Sequence, residues 1–249
     1  MSKLAVFSDI HSNVWALEAV LLDAKQKSVD GLINLGDILY GPLAPRETYD
    51  LLQTEEIITI KGNQDRQIYE ATDSEISSNP TMQFILSELG NDPLKWMKEL
   101  PATKSLESGL FLCHGTPDND LVYMLEDVSE GCAKVRPESE ILDLTAGVEE
   151  KVILCGHTHI PRTVQLSNST LVINPGSVGL PAYFDDEPIP HKMENYSNLA
   201  SYCIIQSTSS GWLVEHIKVP YKYEYAIQAA KQRNRMDWAV ALEFGRIAM

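Results

Sequence analysis

Short apolar runs alternate with amphipathic segments in the N-terminal part of the chain. The run Lys3–Ser8 predicts a buried strand, and apolar positions at helical spacing predict a helix over Asn13–Lys27. Two further apolar runs, Gly31–Gly36 and Ile57–Lys61, flank a short helical pattern at Glu47–Gln53. This β-α-β-α-β order predicts an α/β fold whose first strands form a parallel sheet with right-handed crossovers.

A helical region followed by further strands is predicted for the middle of the chain. Residues 64–108 favour helices with breaks at Pro80, Pro93 and Pro101. Later apolar runs predict five more strands, at Leu110–Cys113, Lys151–Cys155, Thr170–Asn174, Ser201–Gln206 and Trp212–Pro220. Nothing in the pattern indicates an internal repeat.

The C-terminal part combines irregular and helical patterns. The Pro- and Asp-rich stretch 181–198 predicts a long irregular loop, and the stretch 223–244 predicts a C-terminal helix. No shift in composition indicates a linker, so we expect one domain over residues 1–249.

Composition narrows the class of protein. The chain has 20 Lys+Arg against 35 Asp+Glu, a net charge of −15, which argues against coating nucleic acid or binding a membrane surface. No apolar run approaches the ~18 residues of a transmembrane helix. Cys113 and Cys155 lie inside apolar runs, which favours buried free thiols and a cytoplasmic protein. The negative net charge is compatible with a phosphorylated substrate, because bound metal ions can supply local positive charge.

Side chains that bind metals follow five of the predicted strands. They are Asp9, His11, Asp37, Asn63, His114, His157 and His159. The carboxyl ends of strands in open α/β sheets are where ligands bind, so we expect these side chains at one rim. Two Asp, four His and one Asn without a thiolate suit Mn, Fe or Zn. Seven ligands exceed the need of one ion, whereas two ions that share a bridging carboxylate use them all.

The same residues stand in blocks that resemble a known family. SDIHSNVWALEAVL, NLGDILYGP, GNQD at 62–65, His114, GHTHIPR, INPGSVGLP and a late VPY occur in this order. The ordered blocks resemble the calcineurin-like metallophosphoesterases. The longer stretches are similar to a bacterial subgroup of small phosphodiesterases, some of which act on diadenosine tetraphosphate. The resemblance extends from Leu4 to about Tyr221.

This resemblance implies a four-layer α-β-β-α sandwich, with two mixed sheets flanked by helices, and a dinuclear centre. By analogy the first ion would be held by Asp9, His11, Asp37 and His159, and the second by Asp37, Asn63, His114 and His157. Asp37 would bridge the ions together with a hydroxide that acts as nucleophile. Asp37, Asn63 and His114 are the implied catalytic residues. The two divalent ions would be Mn or Fe, with Zn or Ni as alternatives.

One residue departs from the family pattern. Gln64 stands where the family usually has a histidine that contacts the phosphate and protonates the leaving group. An amide donates a hydrogen bond but transfers no proton near pH 7. We therefore expect a phosphodiesterase or dinucleoside polyphosphate hydrolase whose substrates have good leaving groups. A phosphomonoesterase or protein phosphatase and a non-catalytic metal-dependent scaffold stay open as alternatives.

Three residues are candidates for substrate contacts, and two of them have a structural alternative. Asn13 either caps the first helix or faces the phosphate, Gln64 adjoins Asn63, and Arg162 is either a substrate cation or a surface residue. Asp65 is either a helix cap or the partner of a metal-binding histidine.

The remaining aromatic and histidine residues have weaker signals. Tyr40, Tyr183 and Phe184 either stack on a nucleobase or pack locally, and His191 and His216 are interpreted as structural or exposed. The expected partner is a small nucleotide-like substrate, without a nucleic-acid or membrane role, and a homodimer is an open alternative.

Overall fold

Two five-stranded mixed sheets form the centre of the computed structural model, which describes residues 2–247. The strands are β1 (Lys3–Phe7), β2 (Gly31–Asn34), β3 (Ile57–Thr59), β4 (Lys104–Leu106), β5 (Leu110–Leu112), β6 (Glu126–Asp127), β7 (Lys134–Val135), β8 (Val152–Leu154), β9 (Arg162–Gln165), β10 (Leu171–Asn174), β11 (Ala182–Asp185), β12 (His191–Glu194), β13 (Ala200–Thr208) and β14 (Gly211–Val219). The helices are α1 (Val14–Gln26), α2 (Pro45–Leu52), α3 (Asn63–Glu70), α4 (Asp73–Ser78), α5 (Pro80–Leu89), α6 (Asn91–Glu99), α7 (Glu138–Leu144), α8 (Tyr223–Gln232) and α9 (Met236–Phe244).

The first sheet has the strand order β14-β13-β1-β2-β3. Strands β1, β2 and β3 are parallel, as the alternation of strands and helices predicts, while β13 pairs antiparallel with both β1 and β14. The second sheet has the order β4-β5-β8-β10-β9, with β5, β8 and β10 parallel and an antiparallel strand at each edge. Both sheets therefore direct the carboxyl ends of three parallel strands toward one rim.

Alternating side chains assign the faces of each sheet. In β1, Val6 packs into the core shared by the two sheets, whereas Ala5 and Phe7 pack toward helices α1 and α5. The outer face of the second sheet packs against α7 through Ile141. The order is helix, sheet, sheet, helix, which confirms the expected four-layer α/β sandwich.

Two predictions for the C-terminal part are wrong. The expected helix over 223–244 is two helices, because Asn234 adopts a left-handed backbone with φ 57° that an α-helix cannot contain. The expected irregular loop over 181–198 contains the hairpin β11–β12, in which Ala182 pairs with Glu194 and Asp185 with His191. A loop rich in Pro and Asp between short strands hid the pairing from the sequence pattern.

The helical region breaks near each of the three predicted prolines. Pro80 begins α5, Pro93 lies in the first turn of α6, and α6 ends at Glu99, two residues before Pro101. A helix tolerates proline in its first turn, where the backbone N–H has no partner within the helix. Helix α7 and the strands β4, β6, β7 and β9 were not predicted. Cys113 and Cys155 are buried and free, as expected.

Helix length sets one further limit. The longest helix, α1, has 13 residues. None of the helices within residues 2–247 is long and apolar enough to cross a membrane.

Candidate metal centre

The seven predicted ligands lie on the loops that leave parallel strands at one rim. Six of them form two buried clusters, Asp9 with His11 and His159, and Asp37 with His114 and His157. The ligand atoms within each cluster lie within 4.8 Å of one another. The seventh, Asn63, is the first residue of α3 and is also buried. The structure thus brings together side chains from five separate stretches of chain.

The two clusters share a border. Asp9 Oδ1 lies 3.3 Å from His159 Nε2, and Asp37 Oδ2 lies 3.4 Å from His114 Nε2. Two contacts link the clusters: His114 Nε2 lies 3.9 Å from Asp9 Oδ1, and the His157 N–H donates to Asp9 Oδ2 (3.2 Å). The six residues thus form two adjoining groups, with Asp37 in the group of His114 and His157, and its sharing between two ions stays a prediction.

Backbone carbonyls select which nitrogen of each histidine faces the centre. Because a carbonyl only accepts, the ring nitrogen that contacts it carries the hydrogen, and in the neutral ring the other nitrogen keeps a lone pair. The contacts are His11 Nδ1 to Tyr40 O (3.1 Å), His114 Nδ1 to Leu35 O (2.8 Å), His159 Nδ1 to Leu180 O (2.6 Å) and His157 Nε2 to Leu121 O (3.3 Å). Such contacts orient metal-binding histidines and fix their tautomer. Nε2 is therefore the available ligand atom of three histidines, and Nδ1 that of His157.

Unpartnered buried atoms test whether this donor set fits metal ions. Within the described residues, Asp9 Oδ1, Asn63 Oδ1 and His114 Nε2 are buried without a hydrogen-bond partner. His11 Nε2 lies 2.9 Å from His159 Nε2, although both nitrogens face each other with lone pairs. Buried polar groups without partners are costly, and a coordinated cation satisfies carboxylate, amide and imidazole donors together. The residues present fit two divalent ions.

The backbone at the ligands is strained. Five ligands adopt a left-handed conformation: Asp9 (φ 56°), His11 (φ 49°), Asp37 (φ 54°), His157 (φ 71°) and His159 (φ 60°). Such conformations cost about 1–3 kcal/mol each and persist only where the surroundings enforce them. Gly62 is required for a different reason, because a Cβ at this position would overlap the Asp37 carboxylate. The sequence signals the glycine but not the strain.

Charge distributes protons unevenly in the metal-free centre. Burial raises the pKa of Asp37, but His114 outweighs burial and holds the pKa of this carboxyl well below its usual value. Burial lowers the pKa of His114, but Asp37 and Asp9 raise it to about 10. Burial lowers the pKa of His11 and His157 to about 4, which leaves both rings neutral and able to ligate at pH 7.

Asp65 acts as a helix cap that also holds the Asp37 turn. Its Oδ2 accepts from the Gly62 N–H (3.0 Å), and its Oδ1 accepts from the Ile38 N–H (2.9 Å). Burial and the nearby Asp37 raise the pKa of Asp65 to about 7. Of the two roles open from the sequence, these contacts favour the cap.

The three candidate substrate contacts have different surroundings. The Asn13 amide is occupied: Oδ1 accepts from the Ala16 N–H (3.2 Å), which caps α1, and Nδ2 donates to Gly179 O (2.9 Å). Arg162 donates to the buried Glu126 (2.7 Å), so its charge is already paired. Gln64 adjoins the centre, because its backbone N–H donates to Asp37 Oδ1 (2.9 Å) and its side-chain Oε1 is buried without a partner among residues 2–247.

Tyr40 and Tyr183 make hydrogen bonds within the protein. The Tyr40 hydroxyl accepts from Asn79 (3.1 Å), and Tyr183 donates to His157 O (3.0 Å). Phe184 is half exposed. His191 is buried rather than exposed, and His216 bonds Thr163 (2.8 Å) on the strand β9.

Two aromatic neighbours of the ligands carry no sequence signal. The ring of Tyr123 packs 4.7 Å from that of His157, and the ring of Trp238 packs edge-on 5.8 Å from that of His11. Neither aromatic lies in a motif block, and each reaches its histidine only through the tertiary fold.

Comparison with known proteins agrees with the fold. The family described as "Calcineurin-like phosphoesterase superfamily domain" matches residues 2–189. The uncharacterized protein MJ0912 of Methanocaldococcus jannaschii is 24% identical over 261 residues, which cover 95% of each chain. A metallophosphoesterase structure from Sphaerobacter thermophilus superimposes with a TM-score of 0.75 at 22% identity, over 98% of this chain and 99% of that one. The hypothetical protein PH1004 from Pyrococcus horikoshii OT3 gives a TM-score of 0.75 at 21% identity over the full length of both chains.

Metal content tests the two clusters. We expect purified protein to bind two transition-metal ions per chain, because the buried donors form two separate groups of three. Elemental analysis before and after chelation should show loss of both ions together with loss of activity. Saturation at one ion per chain would contradict the assignment.

Proton release tests the protonation of the metal-free centre. At pH 8, His114 is protonated because its pKa is about 10, whereas His11 and His157 are already neutral at a pKa of about 4. Metal binding should therefore release about one proton from His114, and apparent affinity should fall about tenfold per unit as the pH is lowered from 9 to 7. Titration calorimetry in two buffers of different ionisation enthalpy measures the release. A binding enthalpy independent of the buffer would refute it.

Proposed function

The chain belongs to the calcineurin-like phosphoesterase superfamily and is a metal-dependent phosphoesterase, and we propose that it cleaves phosphodiesters and phosphoanhydrides with good leaving groups. Dinucleoside polyphosphates are the leading substrate class within this proposal. The observation that carries it is Gln64, which adjoins the shared ligand Asp37 and offers no transferable proton.

The charge of the loaded centre supports a phosphate substrate. Asp9 and Asp37 contribute −2 and two divalent ions contribute +4, so the centre carries about +2. This local positive charge would attract a polyphosphate even though the whole chain carries −15. An acidic protein can therefore bind an anionic substrate without a cluster of Lys and Arg.

The side chains of the two clusters would hold two metal ions. Asp9, His11 and His159 would bind one ion, Asn63, His114 and His157 the other, and Asp37 both. When bound, two such ions supply Lewis-acid stabilisation of the phosphoryl oxygens and a source of hydroxide at neutral pH. Leu35 O and Leu180 O accept from Nδ1 of His114 and of His159, which leaves Nε2 of each ring to bind an ion.

Gln64 determines which leaving groups depart readily. General acid catalysis is typically worth 10²–10⁴-fold, and an amide cannot supply it. An alkyl alkoxide therefore departs slowly, whereas a nucleotide phosphate leaving a polyphosphate needs little protonation. The Gln64 amide can still donate a hydrogen bond to the phosphate or to the leaving oxygen.

The complete ligand set weighs against the alternative of a non-catalytic scaffold. Six donors in two clusters are buried, and the strained backbone at five of them is retained. A surface that only binds a partner has no physical need for this arrangement.

Loss of single ligands tests the catalytic assignment. Asp37→Asn and His114→Ala each remove one donor, and we expect activity to fall at least about 100-fold, the upper range for loss of a residue that supports a metal. Circular dichroism should show a folded protein. His216→Ala is the matched control, because His216 bonds Thr163 away from both clusters. Full activity in Asp37→Asn or His114→Ala would remove these residues from the centre.

A leaving-group series on Mn-reconstituted protein tests the substrate class. We expect rates to depend steeply on the pKa of the leaving group, with dinucleoside polyphosphates and aryl diesters cleaved faster than alkyl monoesters. Gln64→His should raise rates on poor leaving groups by ~10²-fold and change good ones less, because an imidazole can donate a proton.

Gln64→Asn is the control for this series, since it keeps an amide but adds no acid. A flat dependence on leaving-group pKa in the wild type would mean that another group donates the proton. The argument from Gln64 to the substrate class would then fail.

A further inference from the structure

Two tyrosines outside the ligand set pack against the two histidines of the turn 157–159. The ring of Tyr123 lies 4.7 Å from that of His157, and the ring of Tyr183 lies edge-on 4.5 Å from that of His159. The two tyrosine hydroxyls are 3.1 Å apart. His157 belongs to one metal cluster and His159 to the other, so the tyrosine pair adjoins both.

A third residue, His191, forms a hydrogen bond with Tyr123 of this tyrosine pair. His191 is 1% exposed and its Nδ1 donates to Ile189 O (2.7 Å), which leaves Nε2 with a lone pair. Nε2 accepts from the Tyr123 hydroxyl at 2.9 Å. His191 and Tyr183 lie on the two strands of the hairpin β11–β12, so one rigid element carries two members of the network.

The network also holds the backbone of the turn. The Tyr183 hydroxyl donates to His157 O at 3.0 Å. His157 and His159 have left-handed backbones, with φ of 71° and 60°. A conformation of this kind persists only where neighbouring groups enforce it, and the bond to His157 O fixes the peptide group between the strained residues.

The polar chemistry of the network exceeds what packing requires. Phenylalanine would fill the same volume as either tyrosine without a hydroxyl to desolvate. Burial raises the pKa of both Tyr123 and Tyr183, so each hydroxyl keeps its hydrogen and serves as a donor. The Tyr123 hydroxyl gives its hydrogen to His191 and the Tyr183 hydroxyl gives its hydrogen to His157 O, so the two bonds fix the direction as well as the position of both rings.

We propose that Tyr123, Tyr183 and His191 are positioning residues that hold His157 and His159 in their ligating orientations and so set how tightly both metal ions are retained. The inference rests on the dinuclear centre of the proposed function but not on the substrate. Outer partners of metal-binding histidines typically account for 10–100-fold in metal affinity, which sets the size of the expected effect.

Binding of Mn²⁺ tests this proposal without an activity assay. Free Mn²⁺ is measured by electron paramagnetic resonance during titration of metal-free protein. Tyr183→Phe removes one hydroxyl and keeps the ring, and His191→Leu removes the acceptor of Tyr123. We expect both variants to bind Mn²⁺ about 10-fold more weakly or worse. His191→Gln should restore most of the affinity, because its amide oxygen can accept from the Tyr123 hydroxyl.

Tyr202→Phe is the matched control. Its hydroxyl is bonded to Asp23 (2.5 Å), far along the chain from the ligands and outside both clusters. We expect Tyr202→Phe to lower the melting temperature of the metal-free protein but to leave Mn²⁺ affinity unchanged. If His191→Leu does not fold, Tyr183→Phe decides, because it removes a single oxygen atom.

Unchanged Mn²⁺ affinity in Tyr183→Phe would overturn the proposal, whatever its melting temperature. The same holds if His191→Gln binds Mn²⁺ as weakly as His191→Leu. If the wild type binds two Mn²⁺ ions but cleaves no dinucleoside polyphosphate, the substrate proposal fails and the positioning proposal is still decided by the affinities.

Discussion

Two carboxylates are buried among four imidazoles at the rim of the sheets. The rest of the centre depends on how the charges of these six side chains are balanced. Asp9 and Asp37 lie in a water-poor environment, and within residues 2–247 their ion pairs are with histidines only. A histidine that carries a second proton pairs with a carboxylate but cannot bind a metal ion. Without metal, the ion pairs that stabilise the centre therefore compete with metal binding. Divalent cations resolve this competition, because they neutralise the carboxylates and accept the imidazole lone pairs at once.

The rest of the fold enforces an arrangement that its own residues disfavour. The left-handed backbone of five candidate ligands raises the free energy of the local structure. The close approach of Gly62 to Asp37 and the hydrogen bond from the Ile38 N–H to Asp65 restrain the same turn. The apolar sandwich between the sheets supplies the stability against which this strain is held, since strain is retained only where packing over-determines it. Backbone carbonyls then orient the four histidines, so that one defined nitrogen of each ring is available to a metal ion.

The candidate ligands could be predicted from the sequence because each lies within five residues of the end of a parallel strand. Asp37 lies three residues beyond β2 and His114 two residues beyond β5, and parallel strands bring such ends together. The hairpin β11–β12 and the break at Asn234 could not be predicted, because pairing and a single left-handed residue leave no periodic signal. The ion pair between Arg162 and Glu126 could not be predicted either, because only the tertiary fold brings these two residues into contact.

The matched family region ends at residue 189, yet the chain beyond it completes the centre. Strand β13 pairs with β1, the strand that leads to Asp9 and His11, and is buried along most of its length. Trp238 of α9 packs against His11, and its ring would meet a Cβ added at Gly41, next to the Tyr40 carbonyl that orients His11. The C-terminal helices are thus part of the wall of the first cluster. The candidate ligands lie within the matched region, whereas part of the packing that holds His11 comes from the chain beyond it.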